Sequence, residues 1–356
     1  MSVEKIKFGQ LPDGRQAHLY KIKNQNSFEV CVTDFGVNIV SIFVRNRYGE
    51  RKDVALGFDC LEDYFINDGM FGATVGRNVN RISNAQFEID GKTYHVPRNR
   101  GKHNIHSDKE HGFHKVLWDA EMIGENAVRF TYVSPDGEQG FPGELKISVL
   151  YTITEGDGLI ISYHAVSDQK TLINPSNHNY FNLDGHDGVK IEDTEVQILA
   201  DYFTPVDPDV IPTGEMRNVA GTPMDFRRRK AIGKDLLEQD PQLLIGKGYD
   251  HNFVIRDPYC GVRKMAEAFS KRQGILMEVY SDLLGLQFYS GNTIKEICGK
   301  GGTIYKKKSG FCMEPQYFPN SINTKTFDAP VFDAGETYQA TVIYQFALRE
   351  EMTNDK

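Results

Sequence analysis

The sequence predicts an all-β protein, either a sandwich or a barrel. Its 33 Gly, 17 Tyr and 22 Phe beside a single Trp indicate many turns joining aromatic-rich strands. The segments between the glycines are rich in Val, Ile, Tyr, Phe and Thr, whereas helical periodicity is hard to find. Many strands with little helix favour a sandwich or barrel over alternating βαβ units, and the lack of a fixed-period repeat weakens a propeller interpretation.

Two hairpins are the clearest local predictions. Phe87–Ile89 and Thr93–Val96 flank Asp90-Gly91, a dipeptide that supplies the positive φ angles of a two-residue turn. Glu144–Ile153 alternates faces for ten residues, turns through a glycine-rich segment, and returns as Leu159–Val166.

The remaining predicted elements are shorter. Further strands are expected at Val30–Val32, Ile39–Val44, Ala127–Val133, Glu195–Ala200, Leu276–Tyr280, Leu286–Ser290 and Tyr338–Leu348. Two short helices are expected, one turn at Leu61–Phe65 and another at Lys234–Gln239 before Pro241.

The domain organisation follows from length and linkers. Its length alone, 356 residues and 40.3 kDa, would suggest about two domains. No Pro- or Ser-rich linker divides it, however, and large all-β chains often fold as one unit. We therefore expect a single domain over residues 1–356.

The charge balance argues against nucleic acid as a partner. Lys and Arg total 41 and Asp and Glu total 49, which gives a formal net charge of −8. Binding to a phosphate backbone needs dense positive charge. The basic runs Arg227–Lys230 and Lys306–Lys308 are short, and we expect them to be solvated surface.

Cysteine usage and hydropathy indicate a cytoplasmic protein that does not bind membranes. The five cysteines are scattered, odd in number and without a CxxC pair, so reduced thiols are expected rather than a disulfide framework. The N-terminus has no apolar signal region, and no stretch approaches about 18 uninterrupted apolar residues.

The first candidate site segment is Val75–Ile82, with the sequence VGRNVNRI. Its Asn and Arg side chains could present amides and forked cations to hydroxyl or carboxylate groups. The alternative, which the residues alone favour, is a solvated loop that carries charge.

The second segment is rich in histidine. His103 and His106 form one HxxH pair, and His111 and His114 form another. Imidazole is a common zinc ligand, but no cysteine lies near in sequence, and loop histidines are often plain hydrogen-bonding groups. We therefore expect no metal.

The third segment, Asn174–Leu183, has the sequence NPSNHNYFNL. Four Asn and one His are costly to bury without partners, so the segment suits a hydrogen-bonded loop or a pocket for a polyhydroxy ligand. His178 is the only side chain there that titrates near neutrality, which makes it the natural proton donor.

Three further polar groups lie among aromatic and apolar residues. Asp250 belongs to the segment GYDHNF, and Gln287 to the strand-like LQFY. Glu314 follows three apolar residues, and burial there would raise its pKa toward that of a useful base. An ordinary acid at a strand end is the alternative for Glu314.

Together these residues favour a sugar pocket. No P-loop, no GxGxxG opening a helix and no GxSxG elbow is present. What remains is Asn, Gln, Asp, Arg, His and Glu among aromatics. Sugar sites need this mixture, because hydroxyls require paired donors and acceptors and the C–H faces of the ring require flat apolar surfaces.

The segments also resemble a known family, the aldose 1-epimerases. The resemblance covers nearly the whole chain, in the family's order, and several motifs in register are more specific than any one alone. The motifs are Gly76-Arg77 with Asn80–Ile82, Gly112-Phe113 with Lys115–Trp118, Ser134–Gly140 with Pro142-Gly143, Asn177-His178 with Tyr180–Leu183, Gly248–Phe253, Gln287–Tyr289 with Gly291-Asn292, and Phe311–Asn323.

The resemblance implies a large antiparallel β-sandwich with an open sugar cleft. It implies interconversion of the α and β anomers of free aldoses such as galactose and glucose, without cofactor or metal. Position by position, it implies that Glu314 is the general base and His178 the general acid. The residues at the family's sugar-binding positions are Asn80, Arg81, His106, Asp250 and Gln287.

The implied reaction needs two groups in opposite protonation states. Glu314 would take the proton of the C1 hydroxyl while His178 protonates the ring oxygen, so Glu314 must be ionised and His178 charged. A neighbouring carboxylate such as Asp250 would help to keep the imidazolium protonated. One departure bears on the pocket: Ser107-Asp108 follow His106, where the family commonly has Gly-Gly.

Other functional classes remain open at this point. A non-catalytic carbohydrate-binding module would need the hydroxyl-binding residues but not Glu314 and His178 together. An epimerase for phosphorylated hexoses would add a cationic phosphate site, for which Arg227–Lys230 is a weak candidate. A glycoside hydrolase is less attractive, because no second carboxylate has a matching role. The expected partner is a small sugar, and the expected assembly is a monomer or weak homodimer.

Overall fold

The computed structural model describes residues 1–188 and 190–349, and these residues form mostly β-strands. The first strands are β1 Ser2–Gln10, β2 Gln16–Lys23, β3 Glu29–Thr33, β4 Asn38–Arg45, β5 Arg51–Asp53, β6 Ala73–Val75, β7 Arg81–Ile82, β8 Gln86–Ile89, β9 Lys92–His95 and β10 Asn104–Ile105. The next are β11 Asp119–Ile123, β12 Ala127–Ser134, β13 Leu145–Ile153, β14 Gly158–Ser167, β15 Thr171–Leu172, β16 Ser176–His178, β17 Glu195–Ile198, β18 Ala200–Thr204, β19 Arg217–Asn218 and β20 Lys230–Ala231. The last are β21 Asp250–Ile255, β22 Arg263–Phe269, β23 Ile275–Ser281, β24 Gly285–Tyr289, β25 Ile297–Cys298, β26 Ile304–Tyr305, β27 Cys312–Gln316, β28 Val331–Phe332 and β29 Thr337–Leu348.

Three antiparallel sheets organise these strands. The N-terminal sheet has the order β1-β2-β3-β4-β5, and the largest sheet has the order β11-β12-β13-β14-β29-β23-β22-β17-β20. A second five-stranded sheet has the order β19-β18-β21-β24-β27, and the remaining strands form two-stranded pairs. The strand pairs are antiparallel, which confirms the predicted all-β antiparallel class.

One continuous apolar core joins the three sheets in a sandwich. It includes Val30 from the N-terminal sheet, Val149 and Ile161 from the nine-stranded sheet, and Phe253 and Leu286 from the second five-stranded sheet. The strands alternate because one face contacts this core: β13 has the burial pattern of strict alternation predicted from its sequence. The prediction of a single domain over residues 1–356 stays a prediction.

The two predicted hairpins are confirmed as β8–β9 and β13–β14. Asp90 and Gly91 have φ values of 50° and 78°, as a two-residue turn with two positive φ angles requires. The other predicted strands are present within a few residues of the expected bounds.

One of the two predicted helices is wrong. Helix α1 spans Leu61–Phe65 as expected, but helix α2 spans Pro241–Gly246, after the proline rather than before it. Pro241 lies in the first turn, where a missing N–H costs no intrahelical bond, and the Asp240 carboxylate accepts a bond from the Gln242 N–H at 2.8 Å. No helix in the described part of the chain is long and apolar enough to cross a membrane.

The segment after β6 is not the solvated loop that its composition favoured. The Arg77 side chain is fully buried, and its guanidinium donates to Ser134 Oγ at 2.9 Å and to carbonyl oxygens of Ser134, Pro135 and Pro142 at 2.8–3.0 Å. Arg77 therefore fastens the segment that follows β6 to the turn that follows β12. Its partners also give a structural role to the Ser134–Gly140 and Pro142-Gly143 motifs.

The basic run Arg227–Lys230 is only partly surface. Arg228 is exposed, whereas Arg229 pairs with Glu267, and Lys230 pairs with Asp235 and has a side chain 10% exposed. With Arg227, these residues line an open cavity of about 770 Å³ that contains none of the predicted site residues. Acidic side chains neutralise most of the positive charge of this run, because a partly buried cation needs an opposite charge beside it. In the second run, Lys306 and Lys307 are exposed as expected.

Candidate active site

Three neighbouring strands carry one row of polar side chains. In the register of the second five-stranded sheet, Asn252 of β21 is opposite Gln287 of β24, and Gln287 is opposite Glu314 of β27. Directly paired residues project from the same face, so these side chains lie together. Asp250 lies two residues before Asn252 in β21 and therefore projects from that face as well.

His178 faces Glu314 from a different element. It ends the short strand β16, which pairs with β6, and the Ser176 hydroxyl of β16 donates to the Pro315 carbonyl oxygen of β27 at 2.9 Å. The distance from His178 Nε2 to Glu314 Oε1 is 3.6 Å, slightly beyond hydrogen-bonding range. Both side chains are buried, with 8% and 2% exposed. The pair is thus close enough for both groups to contact one small ligand.

Asp250 connects two of the other predicted site residues. Its Oδ2 accepts from Arg81 Nη2 at 2.8 Å, and its Oδ1 accepts from Gln287 Nε2 at 2.6 Å. Arg81 also donates from Nη1 to Asn80 Oδ1 at 3.0 Å. These charge-assisted bonds fix the orientation of each side chain before any ligand arrives.

His106 completes the cluster from the loop that follows β10. Its Nδ1 accepts from the Asn80 backbone N–H at 3.2 Å, which leaves Nε2 to carry the proton of the neutral ring. Its ring contacts the His178 ring edge-on, with centroids 5.0 Å apart. The structure therefore brings all seven predicted site residues together, although they are up to 234 positions apart in sequence, from Asn80 to Glu314.

Serine occupies a left-handed backbone position directly after His106. Ser107 has φ 59° and is fully buried, and its hydroxyl donates to the Asn78 carbonyl oxygen and accepts from the Asn78 N–H, both at 2.9 Å. His106 itself has φ 56°. The Ser107 departure from the family pattern is therefore accommodated by two hydrogen bonds that hold the His106 loop against the Asn80 segment.

Several buried polar atoms around the cluster lack a protein partner. Within the described residues these include Glu314 Oε2, Gln287 Oε1 and Arg81 Nε, and both amide atoms of Asn252 and of Gln316. Buried polar groups are normally paired, so unpaired donors and acceptors around one cluster indicate a place for a polar ligand or ordered water. Of the seven site residues, only His106 and Asp250 are partly exposed, and the other five are buried.

Burial shifts the catalytic candidates toward their neutral forms. Burial and the nearby Asp250 carboxylate raise the pKa of Glu314 well above its usual 4.5, although Arg81 lowers it. Burial also lowers the pKa of His178 to about 4, although Asp250 favours the imidazolium. The expectation of an ionised Glu314 beside a charged His178 therefore does not hold, because desolvation outweighs the help from Asp250.

The two HxxH pairs do not form a metal site in the part of the chain described here. His103 contacts Asp209 with Nε2 at 3.2 Å, His111 is exposed, and His114 is buried elsewhere without a partner for either ring nitrogen. The one group of potential metal ligands within the described residues is His178, Cys312 and Glu314, whose ligand atoms lie within 4.8 Å of one another.

Cys312 is the residue that the sequence reasoning missed. Its sulfur lies 3.7 Å from His178 Nδ1. A usable signal was present, because residues two apart in a strand project from the same face, and Cys312 is two residues before Glu314. Tyr180, whose ring centroid lies 5.1 Å from that of His178, belongs to a segment already singled out.

Comparison with known proteins identifies relatives of the whole chain. The family model described as aldose 1-epimerase matches residues 18–345. The galactose mutarotase of Homo sapiens is 39% identical over 353 residues, which cover 98% of this chain and 99% of that protein. The aldose 1-epimerase of Escherichia coli K12 is 34% identical over 337 residues, which cover 94% and 96% of the two chains.

Solved structures agree with this relationship. A galactose 1-epimerase from Lactobacillus acidophilus is 27% identical with a TM-score of 0.85, and the match covers 98% of this chain and all of the other. An aldose epimerase homologue from C. elegans is 28% identical with the same TM-score, covering 94% of this chain. The large antiparallel sandwich is thus shared over nearly the full length.

Proposed function

The chain belongs to the aldose 1-epimerase family, and we propose that it interconverts the α and β anomers of free aldohexoses such as galactose and glucose. Relatives named galactose mutarotase and aldose 1-epimerase, similar over nearly the whole chain, support this activity. The proposed substrate is a small free sugar rather than a nucleic acid or a lipid.

The observation that carries the proposal is the buried pair of His178 and Glu314. A hemiacetal carbon bears two oxygens, the ring oxygen and the anomeric hydroxyl, and anomerisation requires proton transfer at both. Two proton-transfer groups 3.6 Å apart are spaced to contact two oxygens on one carbon. A binding protein would gain nothing from burying a carboxylic acid and an imidazole so close together, since their desolvation is costly.

We assign Glu314 as the general base and His178 as the general acid. Glu314 removes the proton of the C1 hydroxyl while His178 Nε2 protonates the ring oxygen, and the C1–O5 bond breaks to give the open-chain aldehyde. Rotation about C1–C2 presents the other carbonyl face, and ring closure returns both protons. Each positioned group contributes roughly 10²–10⁴-fold, so together they lower the barrier by about 5–11 kcal/mol if their effects add.

The surrounding polar residues are assigned to the sugar hydroxyls. Asp250 accepts from Arg81 and Gln287, and its remaining lone pairs suit a hydroxyl donor. The Nε2–H of the partly exposed His106 ring and the amide of the buried Asn80 offer further donors. The unpartnered atoms of Gln287 and Arg81 would be satisfied by a polyhydroxy ligand.

A cytoplasmic setting belongs to the same proposal. All five cysteines are free, two of them buried and three exposed, which suits a reducing compartment. A monomer or weak homodimer stays a prediction, and light scattering over a range of protein concentrations tests it.

The decisive variant is Glu314→Gln, which keeps the side-chain volume but cannot accept a proton. We expect the catalysed rate, measured by polarimetry on freshly dissolved α-galactose, to fall by at least about 10²-fold. Glu125→Gln, a matched change at an exposed position, should leave the rate unchanged. Activity of Glu314→Gln close to that of the unchanged protein would refute the base assignment.

The same assay separates the alternative functions. A carbohydrate-binding module would bind the sugar without accelerating its equilibration. An epimerase for phosphorylated hexoses would prefer the 6-phosphate over the free sugar, and Arg228→Ala would reduce that preference. We expect the free sugar to be the better substrate, because no basic cluster lies among the seven site residues.

A further inference from the structure

Cys312 is buried against the catalytic pair but has no role in the proposed reaction. Its sulfur lies 3.7 Å from Nδ1 of His178, and the other ring nitrogen, Nε2, lies 3.6 Å from Glu314 Oε1. Cys312 is fully buried, and it lies two residues before Glu314 on the same face of β27. The imidazole is therefore between a thiol and a carboxyl group, with one ring nitrogen facing each.

The two nitrogens of a neutral imidazole have different roles. One carries a proton and donates, the other has a lone pair and accepts, and the hydrogen bond that one nitrogen makes decides which tautomer is present. In the proposed reaction, the proton that His178 gives to the ring oxygen is the one that it shares with Glu314, so this proton enters and leaves at Nε2. The neutral ring must therefore carry its own proton on Nδ1, with the Nε2 lone pair facing Glu314.

Two acceptors lie beside Nδ1. One is the backbone carbonyl oxygen of His178 itself: burial lowers the pKa of His178 to about 4, and this oxygen opposes the shift by accepting from the ring. Nδ1 is the ring nitrogen that lies close enough to the main chain of its own residue to make such a bond. The same oxygen already accepts from the Gly72 N–H at 3.1 Å, and the Cys312 sulfur is the second acceptor. A lone pair on Nδ1 would face the carbonyl oxygen, so these surroundings favour the Nδ1–H tautomer.

The thiol of Cys312 suits this role because it stays neutral. Burial and the nearby Glu314 and Asp250 carboxyl groups raise the pKa of Cys312 well above its usual 9.0, although the Tyr180 hydroxyl lowers it. A neutral sulfur is a weak acceptor, so it can select the tautomer without stabilising the imidazolium as a carboxylate would. His178 therefore stays acidic enough to release the proton at Nε2.

We propose that Cys312 is a positioning residue for the reaction: its sulfur accepts from His178 Nδ1–H and so keeps the Nε2 lone pair available to Glu314. When the pair becomes active, the O–H bond of Glu314 breaks, its proton forms a bond to Nε2, and the Nδ1–H bond is unchanged. The imidazolium then gives the Nε2 proton to the ring oxygen of the sugar. The catalytic consequence rests on the proposed function, whereas the tautomer of His178 does not.

The tautomer is measured by ¹⁵N NMR of the full chain with labelled histidine, at neutral pH. The His178 resonances are assigned by their loss in His178→Asn. We expect Nδ1 to have the chemical shift of a protonated ring nitrogen and Nε2 that of an unprotonated one. The opposite pattern would overturn the proposal, and this measurement needs no variant of Cys312.

Two variants test whether Cys312 sets the tautomer. Cys312→Ala removes the acceptor and should lower the ratio of Nδ1–H to Nε2–H about 3–10-fold, the effect of losing one hydrogen bond. Cys312→Ser supplies a hydroxyl oxygen instead and should keep the ratio within about 2-fold. Cys31→Ala removes the other buried thiol, which contacts Glu29, and should leave the ratio unchanged. Equal ratios in Cys312→Ala and the unchanged protein would overturn the role of Cys312.

Polarimetry with galactose connects the tautomer to catalysis. We expect kcat of Cys312→Ala to fall by up to about 10-fold, in parallel with the fraction of the Nδ1–H tautomer, and KM to be unchanged. Cys312→Ser should recover most of the lost kcat. A lower kcat in Cys312→Ala without a change of tautomer would mean that Cys312 only fills space. If the protein has no mutarotase activity, the proposed function fails, but the NMR result still decides whether Cys312 controls His178.

Discussion

Asp250 has the largest set of charge contacts among the seven site residues. It holds Arg81 and Gln287 in place, favours the imidazolium of His178 and raises the pKa of Glu314. Asp250 raises the pKa of both catalytic candidates, because a negative charge favours the protonated form of every neighbour. Asp250 therefore helps His178 and Glu314 to keep one proton between them. Burial determines which of the two residues carries that proton.

This distribution predicts the pH dependence of the reaction. The pKa of His178 lies at about 4 and that of Glu314 well above 4.5, so between these values the pair holds one proton, mainly on Glu314. The proposed mechanism uses the form in which the same proton is on His178. The pH profile of kcat/KM should therefore be bell-shaped. Activity is lost on the acid side near pH 4, where His178 and Glu314 together take up a second proton. Activity is lost on the alkaline side where Glu314 releases the single proton that the pair shares.

Two measurements check this assignment. Polarimetric rates across pH give the two limbs, and NMR titration of the His178 ring, identified by its loss in His178→Asn, gives the acid limb directly. A His178 pKa above 6.5 in the free enzyme would contradict the assignment, since it would mean that the neighbouring charges outweigh burial.

At the scale of elements, short strands and loops do most of the positioning. Glu314, Gln287 and Asn252 are aligned by antiparallel register, and a shift of one residue would turn each side chain to the opposite face. Gly285 of β24 leaves room beside this row, because a Cβ there would lie 2.3 Å from Asn252 Oδ1 and 2.8 Å from the Phe318 ring. The His106 loop, in contrast, is held by side-chain hydrogen bonds rather than by a long strand.

Ser107 provides a test of that loop. Ser107→Ala removes the hydroxyl that bonds both Asn78 backbone groups and keeps a Cβ at φ 59°, so we expect a loss of about 1–3 kcal/mol in the free energy of unfolding. Ser107→Gly removes the same hydroxyl but relieves the left-handed backbone by roughly 1 kcal/mol. Urea unfolding should therefore place Ser107→Gly between Ser107→Ala and the unchanged protein. Equal stability of the two variants would show that the backbone conformation carries no cost.

At the scale of the whole molecule, buried cations connect parts of the chain that are distant in sequence. Lys300 donates to carbonyl oxygens of Val40 and Ala55, both at 2.7 Å, and pairs with Asp53, which joins a C-terminal segment to the N-terminal sheet. Arg77 similarly joins the segment after β6 to the nine-stranded sheet. Arg77 thereby anchors the segment that carries Asn80 and Arg81 of the proposed site.

Arg77→Lys tests the importance of such a contact. An ammonium cannot reproduce the fork that bonds Ser134, Pro135 and Pro142, and buried carbonyl groups would lose their donors. We expect a loss of about 2–4 kcal/mol in the free energy of unfolding, measured in urea. Arg228→Lys, an exposed matched control, should change it by less than about 0.5 kcal/mol. A small effect of Arg77→Lys would mean that water replaces the lost contacts.

Whether a sequence prediction was correct depended mainly on whether the interactions that decide it are local in sequence. The hairpins at Asp90-Gly91 and after Ile153 were predictable because turn chemistry and alternation are local. The helix expected at Lys234–Gln239 was wrong because the cap at Asp240 and the proline in the first turn specify a helix that starts only after Asp240. Arg77 was predicted to be solvated because its four acceptors, at positions 134–142, have no signature beside it in sequence.

By itself the sequence determined the all-β class and the main strands, because residue type and alternation are present in the linear chain. The seven residues of the proposed site were predicted through the ordered motifs that carry the family resemblance. The three-dimensional arrangement decided the rest: the distance between His178 and Glu314, the thiol of Cys312 beside them, and the protonation that burial favours. Those properties depend on which strands lie side by side and how much water they exclude. Such long-range packing is set only when the whole chain has folded.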